Sequence, residues 1–145
     1  MTPQDITLTA LTAWRENRQS GQSGLQSIIN VIQNRAAKTG DDPYTVCTRH
    51  AQFSSISEPG PEAHLWPVAA DPQWVMALSL AAQAAAGTLD DLTSGSTLYY
   101  APYAIQSTVT ITLPNGNTVP FPQGWNAAVV KYQTTIGRQL FFIEN

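Results

Sequence analysis

One cysteine, Cys47, stands among 145 residues, so no disulfide can close within the chain. His50 follows it by three positions, but no second His or Cys pair completes a ligand set. A closed zinc site is therefore not expected. Charge is scarce as well. Asp, Glu, Lys and Arg make up 12% of the chain, about half the usual share. Seven scattered Lys and Arg face ten acidic residues, for a formal net charge of −3. Phosphate binding wants a basic face, so this balance argues weakly against nucleic acid as the partner. No apolar run is long enough to span a bilayer. Met1-Thr-Pro-Gln-Asp has neither the basic start nor the apolar stretch of a secretory signal. The expectation is synthesis in the cytoplasm and, for any extracytoplasmic role, delivery by a route other than general secretion. Phosphate loops, dinucleotide fingerprints, calcium loops and Gly-x-Ser-x-Gly elbows are absent, and no cofactor is expected.

What is present is apolar surface, 43% of the residues, enough for one folded domain spanning residues 1–145. Thr2-Pro3-Gln4-Asp5 is a strong helix start: cap, proline at the first helical position, acid at the positive dipole end. Ile6, Ala10, Ala13 and Trp14 continue at helical spacing to about residue 16, and Ser20-Gly21 closes the element. Leu25, Ile28, Ile29, Ile32 and Ala36 form the stripe of a second helix. Gln26, Asn30, Gln33 and Lys38 lie on its polar side, Ser23 is the expected cap and Gly40 the stop. Asp42-Pro43 starts a short helix to about Arg49. Gln52 to Ser57 reads as extended. A proline-rich loop, 58–67, follows, with Leu65 and Trp66 expected to bury. Asp71-Pro72 caps a third long helix ending at Gly87, apolar on most sides.

Beyond Gly87 the pattern turns to strands. Thr97 to Tyr100 is β-prone, and Thr108 to Leu113 alternates. Asn115-Gly116-Asn117 is the expected three-residue turn, setting Val119 opposite Leu113 and Phe121 opposite Ile111. Trp125 to Tyr132 reads as a short helix and Leu140 to Ile143 as a closing strand. The fold class is α+β, a helical majority with a small antiparallel sheet.

Among ten carboxylates, nine have an evident local reason: helix caps, turns, the proline loop, the terminus. Glu16 has none. It sits in the last turn of the first helix, where the dipole disfavours negative charge. Two explanations remain open, a catalytic acid or a surface ion pair with Arg15 or Arg18. A Cys47–His50 couple is the weaker chemical candidate, because Cys–His catalysis usually joins distant segments.

Ordered along the chain are Trp14-Arg15-Glu16-Asn17-Arg18, Gly21 to Gly24, Leu25 to Ile32 with Asn34-Arg35, Thr45-Val46-Cys47 and Gln52-Phe53-Ser54. Then come Asp71 to Gly87, Gly95-Ser96-Thr97-Leu98-Tyr99-Tyr100, and Ile136-Gly137 to Phe141-Phe142. This ordered set resembles the SleB-type, or spore-cortex-lytic, cell-wall hydrolases. It departs at Trp14-Arg15, where the family has Tyr-Gly, and in the hairpin 104–123, which reads as an insertion. The resemblance implies a lysozyme-like fold and cleavage of peptidoglycan glycan strands at the MurNAc-β-1,4-GlcNAc bond. It implies Glu16 as the catalytic residue, serving first as acid and then as base in a lytic transglycosylase that leaves a 1,6-anhydro end. Glu16 lacks a partner carboxylate in the sequence, which suits a reaction in which the sugar supplies its own helper groups.

Arg15 and Arg18 are expected to point outward, away from the Glu16 carboxylate. Gln52 and Ser54 are expected to face the cleft. Phe53 supplies an apolar wall or packs in the core. Of Tyr99 and Tyr100, one should enter the core and the other meet sugar. These five complete the expected substrate-binding set. The expected partner is peptidoglycan, met by a monomer, with neither nucleic acid nor membrane involved. A phage or prophage endolysin released by a holin would fit the missing signal, with action in the periplasm. The alternatives are a non-catalytic peptidoglycan-binding or tail-associated module and a water-using muramidase.

Overall fold

The structure, a computed structural model, describes residues 1–49, 52–58 and 60–144. They form two compact units, Met1–Leu92 and Thr93–Asn145. The first unit holds five helices: α1 Pro3–Asn17, α2 Gly21–Thr39, α3 Pro43–Thr48, α4 Ser54–Ser57 and α5 Pro72–Ala85. Among the described residues no helix is long and apolar enough to cross a membrane, and no cluster of His, Cys, Asp and Glu is placed to hold a metal ion.

α1 begins as its sequence dictates. The Thr2 hydroxyl accepts from the Asp5 backbone N–H at 3.1 Å, and the Asp5 carboxylate accepts from the Thr2 backbone N–H at 2.8 Å. This reciprocal cap satisfies two otherwise orphaned donors. The helix buries Ala10, Leu11, Ala13 and Trp14. A single turn, Arg18–Ser20, separates it from α2. Gly24 lies where the two helices cross: an added Cβ would stand 2.4 Å from the Ser20 Cβ and 3.2 Å from the Asn17 carbonyl. Glycine is required there for the approach itself.

α2 starts at Gly21, earlier than the cap expected at Ser23, and ends at Gly40 with its N–H on the Ala36 carbonyl. Leu25, Ile28, Ile29 and Ile32 are buried, as their spacing requires. Gln26 and Asn30 are buried too, against the expectation of a solvated face. Both amides donate to the Asp90 carbonyl, and the Asn30 side-chain oxygen accepts from the Leu92 N–H at 3.0 Å. They bind the segment leaving α5, and buried amides with such partners carry little penalty.

Asp42 caps α3 by accepting from the Thr45 N–H at 2.7 Å. The expected extended stretch 52–57 is instead the one-turn helix α4, with Phe53 in the β region as its leading residue. The Ser57 hydroxyl donates back to the Phe53 carbonyl at 3.1 Å, closing the turn. Asp71 caps α5, accepting from the Gln73 N–H at 2.9 Å. The buried stripe of α5 is Ala77, Leu80, Ala81 and Ala84, with Val75 exposed, so the helix is less enclosed than its composition suggests. Leu65 and Trp66 do not bury either; both are exposed.

The second unit holds β1 Leu98–Tyr100, β2 Thr110–Thr112, β3 Thr118–Pro120, β4 Val130–Ile136 and β5 Gln139–Glu144. β1, β5 and β4 form an antiparallel sheet in that order, and β2 pairs with β3. The short helix expected at 125–132 is absent; β4 begins at Val130, in a run rich in β-branched residues. The β2–β3 turn has three residues, as expected, but they are Pro114-Asn115-Gly116. Leu113 and Asn117 bond across the turn, and Val119 faces Ile111. Gly116, at φ 89°, takes the left-handed position that closes such a loop. Slipping the pairing by two residues keeps Ile111, Leu113, Val119 and Phe121 on one face, so the apolar pattern alone could not select between the registers. The core of this unit gathers Tyr100, Leu113, Phe121, Leu140 and Phe142, with Trp125 and Tyr132 packed against it.

Candidate active site

Four residues around Glu16 fasten the end of α1 and the turn after it to other segments. The Trp14 indole N–H donates to the Asp71 carboxylate at 2.9 Å. Arg15 donates from Nη1 to the Ser55 carbonyl at 2.8 Å and from Nε to the Leu65 carbonyl at 3.0 Å. The Asn17 amide donates to the Gly24 carbonyl at 3.2 Å. Arg18 pairs with Glu62 at 3.1 Å and lies over the Trp14 ring at 4.3 Å. Glu16, half-buried, lines a groove of about 190 Å³ together with Ser54, Ser55, Glu58, Gly60, Pro61, Glu62 and Ala63. One wall is thus the end of α1, and the other runs from α4 into the proline-rich loop.

Arg15 does not point outward. It is only 6% exposed, and its guanidinium also sits 4.7 Å from the centre of the Trp66 ring. Burial pulls its pKa below the ordinary arginine value, with the Glu62 charge acting the other way. Arginine is suited to this place because its planar fork reaches two carbonyls at once and stacks under an indole. The local sequence showed a charged residue at a helix end; nothing in it revealed that a loop 40 residues onward would close over it.

The remaining expected site residues divide. Ser54 is exposed and lines the Glu16 groove. Gln52 is exposed, its backbone N–H bonded to the Arg49 carbonyl. Phe53 is fully buried, with the Arg35 guanidinium over its ring at 4.8 Å, so it supports the groove from the core and offers no surface to a ligand. Tyr100 takes the core position of its pair. Its ring packs on Phe142 and Trp125, its hydroxyl donates to the Pro120 carbonyl at 2.8 Å, and burial pushes its pKa up to about 12. It is therefore not a sugar-facing residue. Tyr99 is half-buried and stacks on Phe141 at 5.8 Å. Ser55, Glu58 and Glu62 line the groove without having been singled out as site residues in the sequence. The Ser55 hydroxyl is buried and has no hydrogen-bond partner among the described residues. Asn34 donates to the Asp91 carboxylate at 3.0 Å, tying α2 to the segment after α5.

Cys47 is buried, and desolvation pushes its thiol up to about 11, against the pull of the Thr12 hydroxyl. His50 lies outside the described residues. A thiol so placed is inert. The native protein should resist iodoacetamide at pH 8 and label only once unfolded, which mass spectrometry reads directly; rapid labelling of the native state would refute the burial. Because the folded value lies above the reference value of 9.0, the thiol's contribution to stability is complete below pH 9 and is lost as pH rises through about 11.

No protein-family model matches the chain, and no curated protein does. Among solved structures, it superposes on the catalytic domain of the germination-specific lytic transglycosylase SleB from Bacillus anthracis. The TM-score is 0.67, with 97% of this chain and 95% of that one covered at 18% identity. The two share a fold. That fold is the lysozyme-like α+β architecture, about 48% helical here. The SleB-like motifs therefore sit in a SleB-like frame, with Glu16 at the end of the first helix.

Proposed function

We propose that this protein cleaves the glycan strands of peptidoglycan at the MurNAc-β-1,4-GlcNAc bond as a lytic transglycosylase, with Glu16 as its acid and base. The observation that carries this reading is the position of Glu16. It lines a groove, and each of its near neighbours in sequence is committed to holding the frame around it. Glu16 would protonate the glycosidic oxygen as the C–O bond breaks. The acetamido group of the same sugar would stabilise the cationic centre. The Glu16 carboxylate would then take the proton of the sugar's 6-hydroxyl as that oxygen closes the anhydro ring. The acid step needs Glu16 protonated. An endolysin role, with release by a holin, fits the same chemistry.

Glu58 favours one second reading. It is a second carboxylate on the far wall, and Glu62, the other one, is engaged by Arg18. A water-using muramidase needs such a pair. Digestion of purified sacculi followed by mass spectrometry of the muropeptides decides. The transglycosylase gives anhydro ends, and Glu58→Gln then keeps activity within about threefold. Reducing ends, with a loss of roughly a hundredfold or more in Glu58→Gln, would establish the pair instead. Sacculi left intact by the unaltered protein would favour a binding module of the same fold.

A further inference from the structure

Trp66 is 71% exposed, an unusual position for the largest apolar side chain. It is nevertheless held in place. The Arg15 guanidinium lies against its ring at 4.7 Å, and the same Arg15 bonds the Leu65 carbonyl one residue away and the Ser55 carbonyl on the groove wall. The indole is therefore braced on one side and presented to solvent on the other. Beside it, Thr7, Leu11, Pro67 and Trp74 complete an apolar hollow of about 210 Å³. Thr7, Leu11 and Arg15 recur at four-residue spacing, so the hollow runs along one face of α1. At 1.5 Å per residue, about 7.5 Å of helix axis separate Leu11 from Glu16.

We infer that Trp66 and this hollow form a second sugar subsite, taking an N-acetylated pyranose of the same glycan strand away from the bond being cut. This rests on the proposed action on peptidoglycan glycan. A pyranose offers a face of C–H groups to the electron-rich face of an indole, and the N-acetyl methyl offers a further apolar group. The hollow is smaller than a site for a whole drug-sized ligand, which suits one ring of a longer chain. One stretch of loop serves both: Glu62 and Ala63 line the Glu16 groove, and Trp66 and Pro67 line this hollow. A rigid braced aromatic also binds with little ordering cost.

The test uses the full chain carrying Glu16→Gln, so that binding is read without turnover. Trp66→Ala added to it should weaken retention on purified sacculi and affinity for chitohexaose by about fivefold. Trp66→Tyr should restore most of the loss, and the tryptophan fluorescence change on adding chitohexaose should shrink in Trp66→Ala. In the active chain, Trp66→Ala should raise KM on long strands and leave kcat unchanged. Because Trp66 is exposed, an unaltered circular dichroism spectrum will accompany these variants. Equal binding with and without Trp66 overturns the inference. So does binding that disappears when an amidase strips the peptide stems, or a Trp66-dependent dimer in sedimentation. If the unaltered protein fails to cut sacculi but binding still depends on Trp66, the enzymatic reading falls and the subsite stands.

Discussion

Glu16→Gln should lower the rate of sacculus lysis by a hundredfold or more while the melting temperature moves by less than about 3 °C. Proton transfer by a positioned acid contributes typically ~10²–10⁴ in rate, and the amide cannot supply that proton. Stability should hold because the bonds that fasten the surrounding frame are made by its neighbours in sequence. The Trp14–Asp71, Arg15–Ser55, Asn17–Gly24 and Arg18–Glu62 bonds all survive the change. A carboxylate in the last turn of a helix is, if anything, opposed by the helix dipole, and neutralising it removes that cost. Lysis that persists at the original rate would remove Glu16 from the mechanism. A large fall in melting temperature would show instead that Glu16 is structural.

Arg15→Ala should produce the opposite signature. The side chain bonds two carbonyls of the groove's second wall and braces Trp66. Its removal leaves acceptors at Ser55 and Leu65 without their donor and opens space beneath the indole. Each unsatisfied buried group costs roughly 1–3 kcal/mol, so a loss of about 3 kcal/mol is expected, or about 6–12 °C in melting temperature for a chain of this size. Activity should fall with it, because Ser54, Ser55, Glu58 and Glu62 all reach the groove on the segment that Arg15 fastens. Arg15→Lys should recover little, since an ammonium keeps the charge but cannot bridge both carbonyls in one plane. Calorimetry and lysis measured on the same preparations test this. An Arg15→Ala protein with unchanged melting and full activity would show that the loop holds itself.

Local chemistry was enough to read much of this chain. Thr2, Asp42 and Asp71 cap the helices they were expected to cap, and Gly40 ends the one it was expected to end. Such devices act within four residues, so they are visible without a fold. The ordered motifs around Glu16 pointed to the architecture that the superposition then supplied. Where the reading failed, a distant partner was responsible. Asn30 looked solvated until the backbone of residues 90–92 came to it. Phe53 could wall the cleft or enter the core, and the fold buried it with Arg35 over its ring. The β2–β3 register had two solutions with the same apolar face, and the position of Gly116 in the turn chose between them.

The residues alone determined where helices begin and which of their stripes are apolar, and they singled out one glutamate in a last helical turn. Only the tertiary structure decided what surrounds that glutamate. Arg15 and Arg18, read locally, were expected to face water. The folded chain gives one of them two carbonyls and an indole and the other Glu62, because burying a guanidinium demands several partners, and the loop at 55–66 is where they come together.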